Sequence, residues 1–302
     1  MWFKNLSCFV LTKGLAIDQE TLEKQCGAMR TGELTREQVS KWGFISPWGE
    51  DSEQLVHAAD GAYRLAVEYQ EKIVPAAIVN KQVKERVREL EKREGRPARK
   101  AERDDFKEQV IKTMLPVAFV RSKIVQMVIL PEAKFVLIDS AASAQAESVL
   151  SLLRQAIGSL PVVPLMTSVL PEEQFKEWVE DTEVEQGNLQ LVEDVLFKAA
   201  EGGASAKFKD VPFDSDTVQS AMAGNMVKQI GLQYGEDCSF VLDGALVFRR
   251  LKFDESLTAQ SDDIDKDDVL AKTDADFVLF VGSVTQMLNE VTEALGGIDA
   301  EI

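Results

Sequence analysis

The sequence has one histidine, His57, in 302 residues, and three cysteines. A single imidazole cannot supply a His-rich metal site, and any Ser-His-Asp or Cys-His machinery would rest on this one residue. His57 lies in Gln54-Leu55-Val56-His57-Ala58-Ala59 with no nucleophile motif beside it, so a structural or surface role is expected. Cys8, Cys26 and Cys238 form no CxxC pair and are odd in number, which argues against a disulfide framework or a thiolate zinc site. A reducing cytoplasm is the expected compartment. Apolar runs of membrane-span length are lacking, and so is the basic-then-apolar layout of a signal peptide after Met1-Trp2-Phe3-Lys4-Asn5. No membrane partner is expected.

Nucleotide fingerprints are missing as well. Neither GxxxxGK[ST] nor GxGxxG occurs, and GxSxG and HExxH are also absent. The acidic run Asp262-Asp263-Ile264-Asp265-Lys266-Asp267-Asp268 places Asp at positions 1, 3 and 5 of a calcium loop that starts at Asp263. It then puts Asp268 where glycine is needed and Asp274 where a bidentate Glu is needed, so it reads as a helix-capping acidic loop. A metal-dependent nuclease needs carboxylates and a lysine on adjacent strands. Asp139 and Asp243 stand at strand ends, but Arg249-Arg250-Leu251-Lys252 offers no Asp or Glu two places before its lysine. That ladder reads as a contact surface. No catalytic constellation, cofactor or metal is expected.

What is present is charge, unevenly spread. The chain carries 51 acidic and 34 basic residues, a net of −17. A uniformly acidic surface repels phosphate. Residues 81–123 break the pattern, with fourteen Lys or Arg against eight Asp or Glu, a net of +6 that leaves −23 on the remainder. Within them, Val79, Val83, Val87 and Leu90 mark a helix over 79–94, and a second helix is expected over 101–115 after the break at Gly95-Arg96-Pro97. Four of the eight residues from Arg93 to Lys100 are basic. Alternating charges on such a hairpin also suit a plain solvated face laced with salt bridges. Charge alone leaves both readings open.

The remaining pattern predicts an α+β fold with mixed, mostly antiparallel sheets. Strands are expected at 2–11, 117–129, 134–138, 189–192, 206–211, 226–234, 239–243, 245–253 and 277–281. Helices are expected at 18–28, 143–157, 172–180, 214–222 and 284–295, and residues 63–74 as a strand or short helix. Leu160-Pro161-Val162-Val163-Pro164-Leu165 is stiff and extended, the best candidate linker. No period of 20–50 residues marks a solenoid.

Several segments together resemble one family: Met1-Trp2-Phe3-Lys4-Asn5-Leu6, Gly43-Phe44…Pro47, Leu115-Pro116-Val117-Ala118-Phe119 and Ala141 to Glu147. Leu152-Leu153-Arg154…Gly158-Ser159-Leu160-Pro161, Leu251-Lys252-Phe253, Asp274-Ala275-Asp276-Phe277 and Leu295-Gly296-Gly297 follow in the same order. The whole chain resembles the recombination-associated protein RdgC family. That resemblance implies a non-catalytic protein that binds double-stranded DNA without sequence specificity, and single-stranded DNA as a further partner. It also implies a ring-shaped homodimer around DNA, a place on the nucleoid, and restraint of RecA. The implied division is a central domain (1–78 with 113–165), a basic helical tip inserted at 79–112, and a base domain at 166–302.

Carried over to this chain, the DNA-binding candidates are Arg96, Arg99, Lys100 and Arg103 in the tip, and Phe119, Arg121 and Lys123 after the Leu-Pro step. Lys207 and Lys209 in the base complete the set. Family members often carry Arg directly after that Pro, where this chain has Val117. Ala206-Lys207-Phe208-Lys209-Asp210 keeps lysine but not the family's adjacent basic pair. Phe119 fits a residue that wedges against or stacks on bases; among Val117, Ala118 and Val120 it also fits a buried strand position. Solvated edge-strand lysines are the competing reading of Lys207 and Lys209. Two other functions stay open on residues alone: an acidic interaction scaffold with a basic docking hairpin, and an enzyme acting on nucleic acid.

Overall fold

The structure, a computed structural model, describes residues 2–15, 17–49, 52–182, 187–264 and 268–299. It is α+β, as the pattern predicts. The elements open with β1 (Leu6–Leu11), α1 (Gln19–Gly27), β2 (Ser40–Ile45), β3 (Val56–Ala59) and β4 (Ala62–Lys72). The helical hairpin α2 (Ala76–Glu94) and α3 (Lys100–Met114) follows, then β5 (Val120–Leu130), β6 (Phe135–Ile138), α4 (Ser143–Ile157) and β7 (Val162–Pro164). Next come α5 (Pro171–Glu180), β8 (Leu189–Ala199), β9 (Ser205–Lys209), α6 (Asp216–Met222), β10 (Asn225–Tyr234), β11 (Cys238–Asp243) and β12 (Val247–Phe253). Helices α7 (Glu255–Thr258) and α8 (Val269–Ala294) complete the order.

One antiparallel sheet runs through the protein in the order β2-β4-β5-β6-β1-β12-β11-β10-β8-β9, with β3 beside β4 and β7 beside β1. β1 is the joint. One of its edges pairs along β6 from Ser7 to Val10. Its other edge is shared between β12, at Leu6 and Ser7, and β7, from Phe9 to Leu11. The Leu160–Leu165 stretch expected as a linker is thus partly a strand of the sheet.

The central strands are apolar at consecutive positions because both of their faces are buried. Leu6, Cys8 and Val10 of β1, with Val128, Phe135 and Leu137, enter the core beneath α5, α6 and α8. Phe9 and Leu11, with Val125, Met127, Ile129, Val136 and Ile138, enter a second core beneath α1 and α4. From β12 to β9 only the first face is covered. The other belongs to neither apolar core and carries Asp194, Lys207, Lys209, Asp243 and Arg249 beside Val241.

Two expectations fail in instructive ways. Residues 277–281 are not a strand but the middle of α8, whose buried Phe277, Phe280, Val281, Val284, Leu288 and Val291 recur at helical spacing. The short run Phe277-Val-Leu-Phe-Val suits either period, and only the longer window separates them. Strand β5 begins at Val120 rather than Val117, because Leu115–Val117 form a 3-10 turn that closes α3. Residues 265–267 of the acidic run lie outside the described residues. Asp268 accepts a hydrogen bond from the Ala271 amide at 3.0 Å and caps α8.

Candidate nucleic-acid interface

The hairpin α2–α3 is spliced between β4 and β5, which it extends: the Ile73 amide donates to the Phe119 carbonyl at 2.8 Å, one rung beyond the strands. Gly95 ends α2 in the left-handed region at φ 66°, where a side chain would be strained. Arg96 then turns inward. Its guanidinium grips both oxygens of Glu102 at 2.9 and 2.6 Å and also meets Glu94 at 2.6 Å. The Arg99 amide donates to the same Glu102 at 2.7 Å. These bonds, the Arg96 hydrogen bond first, hold the Glu102 carboxyl at about 2, well below its ordinary value. Arg96 therefore closes the hairpin and has its charge compensated, in contrast to the open cation expected. Arg103 stands 4.0 Å from Glu91. Arg99 and Lys100 form no side-chain ion pair among the described residues.

Phe119 is 85% exposed and Val117 82%, so the buried-strand reading of Phe119 fails. Their neighbours Ile73, Val120 and Ile124 are exposed too. Together they make an apolar collar where the hairpin leaves the sheet.

Register decides which way the basic side chains point. The β4–β5 ladder runs without a shift from Lys72–Val120 to Tyr63–Ile129. Arg121 and Lys123 therefore share a face with Val125, Met127 and Ile129, which is the α1/α4 face. Arg121 meets Glu71 at 2.7 Å, and Lys123 donates to the Gln145 side chain at 2.8 Å. In the other half, Phe248 and Leu242 point to the α8 core, so their alternates Arg249 and Val241 point the opposite way. Phe208 likewise packs inward, which turns Lys207 and Lys209 outward. Since Leu6–Phe248 and Ser7–Val247 keep the faces continuous through β1, all of these cations lie on one face of one sheet. Helix α4 covers that face between them.

A bulge adds a member. Between Ser239–Lys252 and Val241–Arg249 the ladder slips, and Arg250 takes φ 53°. Its guanidinium is thereby aimed across the open face to Asp194 on β8 at 2.7 Å, while Lys207 approaches the same carboxylate at 3.7 Å. Lys209 stands 3.8 Å from Asp210. Lys4 comes alongside: its carbonyl accepts from the Leu251 amide at 2.9 Å. Asp139 sits between Lys4 and Lys123; burial raises its carboxyl above the ordinary range against the pull of both cations.

The carboxylates considered for metal are otherwise engaged. Asp139 accepts from the Lys4 and Asn5 amides at 3.1 and 2.9 Å. Asp243 accepts from the Ala245 and Val247 amides, each at 3.0 Å, and from Arg249 at 2.7 Å. Among the described residues no group of three or more His, Cys, Asp or Glu side chains is placed to hold a metal ion. Nor is any helix there long and apolar enough to cross a membrane.

His57 is buried on β3 between the rings of Trp48 and Phe277, with Nε2 at 2.9 Å from Asp274 of α8. It fastens α8 to the sheet, in keeping with a structural role. Arg64, its cross-strand partner, is buried too and donates to Gln126 and to the Pro47 carbonyl. Burial lowers that guanidinium to about 10.

Sequence reasoning passed over Trp42 and Tyr69. They stand opposite each other on β2 and β4, ring centroids 4.7 Å apart, on the face that bears Lys123. Gly43 allows this edge to form, because a Cβ there would lie 2.6 Å from the Thr31 backbone. Only the pairing register, not the local sequence, brings these two rings together.

Fold and surface define an α+β protein built on one long antiparallel sheet, with an inserted basic helical hairpin and cations gathered on one face. The family described as "Putative exonuclease, RdgC" matches residues 1–298. The recombination-associated protein RdgC of Tolumonas auensis is 35% identical over 302 residues, covering all of both chains. Its namesake in Shewanella halifaxensis is 32% identical over 303 residues with the same coverage, and that of Shewanella loihica 33% over 300 residues. The chain belongs to the RdgC family.

Proposed function

We propose that this chain is a non-catalytic protein that binds double-stranded DNA without regard to sequence. It acts as a homodimeric ring around the duplex and thereby restrains RecA-mediated recombination on the nucleoid. In this reading residues 79–112 form a tip, residues 1–78 with 113–165 a central domain, and residues 166–302 a base. The observation that carries it is the gathering of Arg121, Lys123, Lys207, Lys209, Arg249 and Arg250 on one sheet face of a protein with net charge −17. Lysines and arginines so placed neutralise phosphates and release counterions without reading bases. An acidic remainder steers a polyanion toward that face and away from the rest. The relatives' association with recombination supports the same partner.

Binding to random-sequence duplex is expected to weaken steeply with salt and to vary little with sequence. Protein bound to closed circular duplex should resist a salt wash that releases it from linear duplex, since a ring slides off ends. Equal release from both refutes the ring. The word exonuclease in the family description gives a second reading. Mg²⁺-dependent shortening of DNA ends by the pure protein, lost on substitution of Asp139 or Asp243, would replace the non-catalytic one.

A further inference from the structure

We propose that Trp42 and Tyr69 form a stacking subsite for an unpaired base of single-stranded DNA, with Lys123, one of the phosphate-contacting cations, standing beside the rings. The inference rests on the DNA-binding reading above and deepens it.

Three observations carry it. The first is register: Trp42 on β2, Tyr69 on β4 and Lys123 on β5 are directly opposite one another, so ring, ring and cation stand in one row across three strands. Arg121 occupies the next row, two residues along β5. The second is space. These residues floor a groove of about 630 Å³ walled on one side by Gln145 and Ser148 of α4. That volume is within the usual range of small-molecule sites, about 300–1,000 Å³. The third is charge. The hydrogen-bond partner of Lys123 is the neutral Gln145 amide, and the Asp139 carboxyl nearby offsets only part of its charge, which leaves it a cation for a phosphate one nucleotide step from the stacked ring. The first turn of α4, which lacks a side-chain cap, lines the same groove at Ala144 and Gln145, which adds positive potential.

Duplex DNA cannot use this floor. Its bases already stack on each other, and only an unpaired base offers a bare π-face to an aromatic ring. The two rings tilt by 35° rather than lying coplanar, so a base enters against one ring and beside the other. Trp42 also rests partly on the core beneath α4, and the test has to separate that packing from binding.

The test titrates oligo(dT) into the full chain while following tryptophan emission, with a random duplex measured in parallel by anisotropy. Saturable quenching that disappears in Trp42→Phe supports the subsite. Tyr69→Leu keeps apolar bulk and is expected to weaken oligo(dT) about tenfold, equivalent to about 1.4 kcal/mol. Duplex affinity should change less than about twofold. Lys123→Gln, which touches no core contact, should lower the single-strand salt slope by about 0.7. Quenching that survives in Trp42→Phe, or equal losses for duplex and oligo(dT) in Tyr69→Leu, would overturn the proposal, with duplex binding by the parent protein still standing. Failure of the parent protein to bind duplex would instead strike the function proposed above.

Discussion

Arg250 Nη2 lies 2.7 Å from Asp194 Oδ2, although two strands, β11 and β10, separate their own. At roughly 4.8 Å per strand, flat spacing would set β12 and β8 about 14 Å apart, further than the two side chains span. The sheet must therefore coil toward its open face, and Asp194, nearly buried, gathers Arg250 and Lys207 at the hollow.

Replacing Asp194 by Asn should free both cations while keeping a hydrogen-bond acceptor. Duplex affinity at fixed salt is expected to rise severalfold, with a salt slope steeper by about one to two ions. An unchanged slope would mean that this hollow does not face DNA. Arg250→Ala should instead lower unfolding free energy by about 1–2 kcal/mol, read by urea denaturation, because it leaves a nearly buried carboxylate with only a distant lysine.

In the tip, the basic residues are not equivalent. Arg96→Gln is expected to loosen the hairpin, seen as faster amide exchange over residues 94–103, and to leave the DNA salt slope nearly unaltered. Lys100→Gln should do the reverse and reduce the slope by about 0.9. Identical slopes for wild type and Lys100→Gln would remove the tip from the contact surface.

Phe119→Ala separates binding from stability. A ring 85% exposed contributes little to the core, so the melting temperature should hold, with a stability change within about 0.5 kcal/mol. DNA affinity should fall by about 1–3 kcal/mol if the ring meets bases. A drop in melting temperature with binding intact would return Phe119 to a packing role.

Glu102 gives the tip a defined acid response. Its carboxyl, held at about 2, is lowered in the fold, so it stabilises the hairpin above the ordinary carboxylate range and loses that effect as pH falls from about 4.5 toward 2. Amide exchange over 94–103, corrected for intrinsic rates, should accelerate through that window. Glu102→Gln should show the faster exchange already at neutral pH and no further step on acidification.

Much of this was legible in the sequence where local signals suffice. The helix from Asp18 starts where its cap stands, Gly95 ends another, and the apolar runs of β1, β5 and β6 mark strands. The hairpin helices follow from Val79, Val83, Val87 and Leu90. What failed was information carried by pairing. Five apolar residues at 277–281 fit two periods, and β3 at Val56–Ala59 is too short to show one. The partners of Arg96, Arg250 and Trp42 depend on a tight turn, a bulge and a cross-strand register. Charge counting saw fourteen basic residues in 81–123 but not that Arg96 is neutralised from within. It also gave no sign that Lys207 and Arg250 converge across 43 residues of chain.

The double duty of β1 has a consequence for biosynthesis. Ser7 to Val10 can pair with β6 once residues 135–138 have been made, whereas the Leu6–Ser7 edge waits for residues 247–248. At bacterial elongation rates of about 5–20 residues per second, roughly 110 residues of delay leaves that edge unpaired for several seconds or more. A nascent chain has ready-made cover for only part of it, since β7 reaches Phe9 to Leu11 and stops short. Ribosome-bound chains halted between residues 170 and 245 should therefore be the aggregation-prone or chaperone-held species, and chains released with α8 complete should be recovered as folded protein.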